Sequence, residues 1–520
     1  MERALPLNIY LLKKGRLPDK QINLSDFRPT ISIPVDRNYF STLYFKVSGS
    51  EPEWITSLKS LANSDTDFAK SASPQAILFI RHKQRWFVAT FGHAWQKVAS
   101  AEIEPDFGTR CVLNIAKPES LSSIRRDRVA DSSIQAIEQI PESDDISRFG
   151  MDVERDILRG VKAKIDKSYK FGHLVVGGDS FKGTIDLSSD SIGAFCRRAL
   201  KCYGKKDIAV NFPWFDKIKP VVDDKIIESL EKRLAKSISL RVKSITLSVP
   251  ELMAWDEFDA YSFTKSKRGQ LPLSEPLTIE QWRNAHVTGK VVPSTLRSSF
   301  VYAYKAGQSH LARKWDVRQC VNATIRLKGE TYITQLGKWY KVDNNFVEEV
   351  QTRVGQIPSE KMSFPKLRHA GESEGDYNKR IGISFSSRYY YLDKDLIHVV
   401  GRNSIEVCDL LRFDGSMICL KPWGGRSQDL SHLFQQAIVS GQLLADHPPF
   451  VTGVSSKILN PGFKAIWDKE AARKSGARFV LAIIRGVPKE RLPFFAQVAL
   501  VTCFRNLREM RFDVSYAVIL

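Results

Sequence analysis

The alternation of hydrophobic and polar positions predicts a β-rich start to the chain. Residues 7–14 (LNIYLLKK) and 41–49 (STLYFKVSG) have the composition of strands, and 76–95 predicts two apolar strands folded about a basic turn at Arg81–Arg85. The polar stretch 125–145, which contains Arg125, Arg126 and Arg128, favours a solvated loop, although its arginines could contact phosphate.

The middle of the chain mixes helical and strand patterns. Residues 223–238 carry apolar positions at helical spacing after two aspartates that complement the helix dipole. Residues 330–342 predict a hairpin around Gly337, and 344–357 predict a helix opened by an asparagine cap. A polar segment with Gly and Pro places a soft domain boundary near 355–370.

The last third predicts a regular succession of elements. A polar helix start (371–381) precedes strands at 383–393, 404–411 and 415–421, a helix at 427–445, a strand at 477–486, a helix at 492–510 and a strand at 512–520. We therefore expect an α/β protein, α+β overall. Its domains are a β-rich one at 1–150, a mixed middle region at 151–360, and an αβββαβ core with a further α-β pair at 361–520.

This order, with the acid and lysine positions it contains, resembles the restriction-endonuclease-like nucleases of the PD-(D/E)xK type. Those enzymes need an acid on the second strand and D/E-x-K on the third, so that two carboxylates hold a divalent metal and the lysine polarises water. Asp409 stands at the first acid, and Cys419-Leu420-Lys421 stands where D/E-x-K belongs. The resemblance implies a Mg²⁺-dependent nuclease with a modified site, in which Asp409 binds metal and Lys421 is catalytic.

Cys419 leaves the second acid to another residue. Glu406 could supply it, as a second metal ligand, if a bulge turns it towards Asp409, and Glu372 or Glu374 could supply it from the preceding helix. The alternative is an ordinary ion pair between Asp409 and Lys421 beside a turn, with Cys419 a small buried hydrophobe.

Polar residues after the lysine strand could contact phosphate. His432 and Gln435 lie on the next helix and could orient water or phosphate, or they could form the exposed side of a helix packed through its leucines. The segment from Lys421 to Arg426 contains two glycines between basic residues, which suits approach to a phosphate backbone, or else it is a plain flexible loop.

Composition favours a polyanionic partner. The 520 residues include 78 Lys+Arg and 58 Asp+Glu, a formal net charge of +20, so nucleic acid, DNA or RNA, is the leading candidate. Basic and aromatic residues alternate at Arg85-Trp86 and between Lys338 and Lys341, which predicts salt-dependent association with nucleic acid. No P-loop, H-E-x-x-H or G-x-G-x-x-G motif is present, which lowers kinase, metalloprotease and Rossmann interpretations.

The cysteines and the N-terminus indicate a cytoplasmic location. Seven scattered cysteines without a C-x-x-C pair argue against a disulfide framework or a zinc site. We expect no secretory signal, since Lys13, Lys14 and Arg16 follow a short apolar run, and no membrane association, since no run is long enough to span a bilayer.

Short motifs spread along the chain support a resemblance to a protein family. They are Leu43–Lys46 with Pro52-x-Trp54, Arg85–Phe87 leading to Thr90–Gly92, Phe107-Gly108 with Leu113-Asn114, Tyr377-Asn378, Ile405–Asp409 and Leu430–Phe434. With these the chain resembles, over nearly its whole length, a sporadically distributed bacterial family of uncharacterised function. The patchy distribution implies antiviral defence against phage or foreign DNA. In that family the position of Cys419 is not acidic either.

Two hypotheses follow. The first is a metal-dependent nuclease with Asp409, Glu406, Glu374, Lys421 and Gln435 in its site and Arg426, His432, Arg85, Lys338 and Lys341 on nucleic acid. The second is a non-catalytic DNA- or RNA-binding sensor that works with a protein partner or as a homo-oligomer.

Overall fold

A computed structural model describes most of the chain: residues 4–18, 22, 24–30, 40–50, 71–98, 102–129, 134–186, 192–242, 244–250, 260–265, 277–287, 289–304, 311–362, 364–369, 372–393, 397, 405–423, 427–473 and 477–519. Contacts divide the chain into two compact units, 1–127 with 135–216, and 128–134 with 217–520. Both combine sheets with helices, so the predicted α+β class is confirmed. Among the helices in these ranges, none has the length and apolar character needed to cross a membrane.

The first unit is built on a ten-stranded sheet in the order β2-β3-β4-β5-β1-β10-β9-β8-β6-β7. Its strands are β1 (Ala4–Leu11), β2 (Arg28–Thr30), β3 (Phe40–Ser50), β4 (Ser71–His82), β5 (Arg85–Phe91), β6 (Leu121–Arg128), β7 (Ile134–Asp144), β8 (Asp156–Lys164), β9 (Leu174–Gly177) and β10 (Phe181–Asp186). Its helices are α1 (Phe107–Leu113), α2 (Ile192–Tyr203) and α3 (Ile208–Asn211). Short 3-10 turns lie at Gly92–Lys97, Pro118–Ser120, Ile146–Arg148, Lys167–Tyr169 and Pro213–Lys217.

One face of this sheet is covered by α1 and α2. Side chains alternate between the two faces of a strand, so Leu7 and Ile9 of β1 point to the same side and are fully buried. They join Phe107 of α1 and Phe195 of α2 in one hydrophobic cluster. The side chain of Asn8, between them on β1, therefore points to the opposite face.

The structure confirms part of the N-terminal prediction and corrects part of it. The strands at 7–14 and 41–49 and the hairpin at 76–95 are present as β1, β3 and β4–β5. The loop predicted at 125–145 is wrong, because β6 and β7 lie there. Part of their charge is paired: Arg126 contacts Glu138 at 2.7 Å and Asp156 at 2.8 Å. The sheet continues past residue 150, where the sequence placed a boundary.

The second unit contains a five-stranded sheet, β11-β18-β17-β16-β12, and a three-stranded sheet, β13-β14-β15. These strands are β11 (Ile218–Pro220), β12 (Thr246–Leu247), β13 (Ala260–Ser262), β14 (Phe300–Tyr304), β15 (Leu311–Asp316), β16 (Val321–Leu327), β17 (Glu330–Gln335) and β18 (Lys338–Val342). The accompanying helices are α4 (Asp224–Ser239), α5 (Ile279–His286), α6 (Pro293–Ser298), α7 (Val317–Cys320) and α8 (Asn344–Gln356).

The predictions for this region are confirmed with one change. Helix α4 begins after Asp223, whose side chain accepts hydrogen bonds from the N–H groups of the first turn. Strands β17 and β18 pair around Gly337, which has a positive φ of 77°. The cap of α8 is Asp343 and not an asparagine, because the Asp343 carboxylate accepts from Asn345 and Phe346.

The last sheet of the second unit has six strands in the order β19-β24-β23-β22-β21-β20. They are β19 (Ser359–Lys361), β20 (Tyr389–Tyr391), β21 (Leu410–Arg412), β22 (Met417–Pro422), β23 (Arg478–Ile484) and β24 (Asp513–Ile519). The helices are α9 (Glu374–Ser384), α10 (Ser427–Asp446), α11 (Pro448–Lys457), α12 (Pro461–Arg473) and α13 (Phe494–Glu509), with a 3-10 turn at Lys489–Arg491. Strands β20, β21 and β22 pair antiparallel, whereas β22, β23 and β24 run parallel.

The predicted element order of this region is present, with two differences. The strand expected at 383–393 is shorter, because α9 continues to Ser384 and only Tyr389–Tyr391 pairs with β21. Two further helices, α11 and α12, separate α10 from β23. Tyr377 and Ile381 of α9 pack with Ile418 and Leu420 of β22, which fixes α9 against one face of the sheet.

Candidate active site

Asp409 lies immediately before β21, at the edge where β22 ends. Its backbone N–H donates to the carbonyl of Ile418, and its carboxylate accepts a hydrogen bond from the N–H of Leu420 at 2.7 Å. Because β21 and β22 are antiparallel, the start of one strand meets the end of the other. The side chain of Asp409 is thereby held close to the end of β22, and the residue is 3% exposed.

Asp393 is brought beside Asp409 by backbone and side-chain contacts. The Asp409 carbonyl accepts hydrogen bonds from the N–H groups of Leu392 and Asp393, at 2.9 and 3.1 Å. Asn378 of α9 then bridges the two side chains, since its Nδ2 lies 3.0 Å from Asp409 Oδ1 and 3.3 Å from Asp393 Oδ2. Asn378 is fully buried, and its Oδ1 has no hydrogen-bond partner among the described residues.

Glu406 is the third acid at this position. An isolated antiparallel bridge pairs Ile405, the residue just before it, with Ile397. Helix α10 then holds Glu406, because Ser440 Oγ donates to its carbonyl at 2.8 Å and Gln436 Nε2 lies 3.3 Å from its carboxylate. One oxygen from each carboxylate of Asp393, Glu406 and Asp409 lies within 4.8 Å of the others.

Lys421 at the end of β22 contacts a fourth acid. Its Nζ lies 2.7 Å from Oε2 of Glu374, in the first turn of α9. Glu374 is one helical turn before Asn378, so α9 presents both residues on the same face. The charge of Glu374 also acts on Asp409. Lys421, Glu374 and the carboxylate cluster therefore form one site.

Burial and neighbouring negative charges make ionisation of the Asp409 carboxyl unfavourable. The pKa of the Asp409 carboxyl lies well above its usual range, first because burial disfavours the charged form. The negative charges of Glu374, Asp393 and Glu406 raise this pKa further, and the N–H of Leu420 opposes the shift only in part. A buried carboxylate among acids needs either a proton or a cation.

Cys419 has no polar role in the structure. Like the other six cysteines it is free and buried, and burial raises the pKa of its thiol well above the ordinary value. A thiol held in the protonated form is a poor metal ligand. Its neighbourhood supports the interpretation of Cys419 as a small buried hydrophobe.

The remaining site residues predicted from the sequence do not join the carboxylate cluster. Glu372 forms a two-contact pair with Arg380, at 2.8 and 2.9 Å, which commits its carboxylate to holding the start of α9. His432 and Gln435 are both exposed on α10; His432 lies about 40° around the helix from Gln436, whereas Gln435 lies about 100° from it. Arg426 lies outside the described residues.

Three of the basic residues expected on nucleic acid, Arg85, Lys338 and Lys341, lie outside this site. Arg85 belongs to the first unit, where it pairs with Glu104 at 2.7 Å and donates to the carbonyl of Leu12. Lys338 and Lys341 lie on β18 of the five-stranded sheet. Lys341 pairs there with Glu330. Arg85 and Lys341 therefore have structural partners.

Sequence reasoning missed two members of the site, Asp393 and Asn378. Asp393 was visible as the acid that ends the run Tyr389–Leu392, yet the spacing between Asp393 and Asp409 carries no recognisable pattern. Asn378 belongs to the pair Tyr377-Asn378, which supported the family resemblance without indicating a role. Only the fold brings these side chains to Asp409.

The comparison with protein families is informative over almost the full length. A model described as a family of unknown function (DUF6119) matches residues 7–520. The chain belongs to this family. It matches no curated protein and no solved structure. Membership in DUF6119 supports the resemblance to a family of uncharacterised function, while any activity must be argued from the site itself.

Proposed function

We propose that this DUF6119 protein is a divalent-metal-dependent nuclease of the PD-(D/E)xK type with a rearranged set of acids. The observation that carries the proposal is the placement of Lys421 and four acids at one edge of a mixed sheet, around the buried Asp409. A lysine next to a carboxylate cluster suits metal-assisted hydrolysis of a phosphodiester, because the carboxylates can hold the metal and the lysine adds positive charge.

The residues present fit a hard divalent cation. Asp393, Glu406 and Asp409 offer only oxygen donors, which suit Mg²⁺ or Mn²⁺ and not a thiolate-binding metal. Oδ1 of the buried Asn378, which accepts no hydrogen bond from a described residue, is a further polar atom next to these donors. When bound, such an ion supplies Lewis-acid activation of water and of the phosphoryl oxygen.

The chain's own residues supply the remaining functions. Lys421 contributes positive charge beside the reacting phosphate and can hold an attacking water, and Glu374 positions the Lys421 ammonium through their 2.7 Å contact. Gln436 orients the Glu406 carboxylate. His432 lies one turn before Gln436 on the same helix, where it can contact the substrate.

The element order also supports this proposal. Helix α9, the antiparallel strands β20, β21 and β22, and the crossover through α10 to the parallel strand β23 match the αβββαβ succession of restriction-endonuclease-like cores, with α11 and α12 inserted between α10 and β23. Asp409 and Lys421 occupy the positions of the first acid and the lysine in such cores. Asp393, Glu406 and Glu374 take the place of the acidic residue of the D/E-x-K motif, whose position is occupied by Cys419.

A second candidate function is a non-catalytic nucleic-acid sensor. The contact between Lys421 and Glu374 favours it, because an ammonium already paired with a carboxylate is partly neutralised. In that case the site would bind a cation or a phosphate without hydrolysis, and a protein partner or a second copy would carry the response.

Cleavage assays separate the two functions. The purified protein is incubated with labelled single- and double-stranded DNA and RNA, with Mg²⁺ or Mn²⁺ and with EDTA. Asp409→Asn and Lys421→Ala should each lower the cleavage rate at least about a hundredfold, about 2.7 kcal/mol in the barrier. In the host, the same variants should lose any protection against phage, measured as plating efficiency.

Asp414→Asn is the matched control. Asp414 lies in the turn at the opposite end of β21 and β22, where it pairs with Arg412, and its side chain is 53% exposed. The control should cleave like the parent protein. Metal-dependent cleavage that survives both Asp409→Asn and Lys421→Ala would refute the proposed site, and binding without cleavage in every metal would favour the sensor.

A further inference from the structure

The first unit contains an open cleft of about 690 Å³ on the sheet face opposite α1 and α2. Strands β5, β1, β10, β9, β8 and β6 all contribute to it, together with the 3-10 turn at Gly92–Lys97. Its volume lies within the range of ligand-binding sites. It shares no residue with the carboxylate site.

A row of side chains crosses the floor of this cleft, because the registers of five strands align. Asn8 of β1 pairs with Thr90 of β5 on one side and with Lys182 of β10 on the other. Lys182 pairs with Val176 of β9, and Val176 pairs with Lys162 of β8. Directly paired residues point to the same face. Lys182 and Lys162 are thus two strand spacings apart, about 10 Å.

The charge of the cleft is not compensated. Four of the described lining residues are basic, Arg125, Arg159, Lys162 and Lys182, and none of the described lining residues is acidic. Arg159 pairs with Asp127 at 3.0 Å. Arg125, Lys162 and Lys182 form no ion pair with a described residue, and Nε of Arg125 is buried without a hydrogen-bond partner. The next residue on β6, Arg126, differs from Arg125 because it forms ion pairs with two acids, Glu138 and Asp156.

The remaining walls offer an aromatic ring on which a planar group of a ligand can stack, and glycines that a ligand backbone can approach closely. Trp95, on the 3-10 turn, is 50% exposed and lines the cleft. Gly177 and Gly178 form another part of the wall. Exposed aromatic rings stack bases, and positive grooves follow the phosphates of a strand.

We propose that this cleft binds a single strand of nucleic acid. Lys182, Lys162 and Arg125 would contact successive phosphates, and Trp95 would stack on a base. Three cations spread over β10, β8 and β6 fit an extended chain of phosphates better than one terminal phosphate, which needs its cations to converge. The inference does not depend on cleavage at the carboxylate site.

Binding to the full-length chain tests this proposal. The anisotropy of a short labelled oligothymidylate or oligouridylate is measured in EDTA over a series of salt concentrations, so that no metal-dependent cleavage contributes. The double variant Lys162→Ala/Lys182→Ala should reduce the slope of log K against log salt by about 1.4, since each phosphate contact on a single strand contributes about 0.7. Trp95→Ala should weaken binding about five- to a hundredfold with little change in slope.

Arg197→Ala/Lys201→Ala is the matched control. Both residues are exposed on α2, which covers the other face of the sheet, so the control removes the same two charges from the same unit. Its salt slope should equal that of the parent protein. An equal loss in both double variants would overturn the proposal, because binding would then follow net charge alone. Displacement of the strand by a free nucleotide at equal nucleotide concentration would also overturn it, in favour of a mononucleotide site.

Discussion

The cleft of the first unit and the carboxylate site of the second carry opposite charges. In the cleft, Arg125, Lys162 and Lys182 have no acid beside them among the described residues. In the carboxylate site, Asp409 is buried and three further acids act on it. A phosphate backbone can lie directly on the first surface, whereas the second repels phosphate until a cation lies between them.

The two regions also differ in how their side chains are placed. The cleft floor is a row of residues on paired strands, so its geometry follows from register. The carboxylate site takes its acids from a helix start, from the residues after a strand and from an irregular segment before β21. The difference teaches that this chain keeps its unpaired positive charge in one unit and its carboxylate cluster in the other, so that each can be altered alone.

The largest expected effect is a structural one that removes the cleft and spares the acids. A Cβ at Gly108 of α1 would lie 1.7 Å from the carbonyl oxygen of Ser180, and one at Gly177 would lie 2.2 Å from that of Gly108. Gly108→Ala should therefore destabilise the first unit by about 3 kcal/mol or more. Hydrogen exchange would show the loss of protection in α1 and β9. An unchanged melting temperature would contradict this packing.

The adjacent Arg125 and Arg126 allow an arginine that stabilises the fold to be distinguished from one that would contact a ligand. Arg126→Ala removes the guanidinium that pairs with the buried Asp156 carboxylate and should cost about 3 kcal/mol of unfolding free energy. Arg125→Ala should change stability by less than about 0.5 kcal/mol while lowering the salt slope of single-strand binding by about 0.7. Denaturant unfolding and anisotropy, measured on both variants, decide the assignment, and a reversed pattern would exchange the roles of the two residues.

The carboxylate site should respond to pH and metal in a linked way. The folded-state pKa of Asp409 is raised, so its contribution to stability is complete below the unfolded value of about 3.9 and is lost as pH rises through the folded pKa. Without metal, the parent protein should therefore lose stability towards neutral pH relative to Asp409→Asn. Mg²⁺ at about a hundred times its dissociation constant should restore about 2.7 kcal/mol to the parent only.

Thermal unfolding with EDTA and with Mg²⁺ at several pH values measures this linkage. The gap between the parent protein and Asp409→Asn should widen as pH rises, because only the parent must ionise the buried carboxyl. The same Mg²⁺ stabilisation in both proteins would place the cation elsewhere.

The smallest expected effect is a glycine substitution without a steric conflict. Gly355 lies in the last turn of α8, and a Cβ there would meet no atom of the described residues within 4 Å. Gly355→Ala should stabilise the protein by up to about 0.5–1 kcal/mol, since alanine loses less backbone entropy in a helix. Denaturant unfolding measures this change in stability. Comparison with Gly108→Ala then shows that the cost of replacing a glycine depends on the backbone atoms that the new Cβ meets.

The sequence by itself determined the elements with a clear hydrophobic period. Helix α4, the β4–β5 hairpin, the β17–β18 hairpin and the parallel strands β23 and β24 follow from the spacing of apolar residues, which local burial dictates. The strands β6 and β7 were misread as a loop, because charged side chains such as Arg126 and Glu138 conceal strands when they are paired with each other.

The candidate site was only partly visible for a related reason. Asp409, Lys421, Glu406 and Glu374 could be selected because strand order places acid and lysine at one edge. Asp393 and Asn378 could not, since a hydrogen bond from the N–H of Asp393 to the carbonyl of Asp409 and a buried amide between two carboxylates are tertiary contacts without a sequence period. The tertiary structure likewise decided which arginines and lysines are paired and which remain open to a ligand.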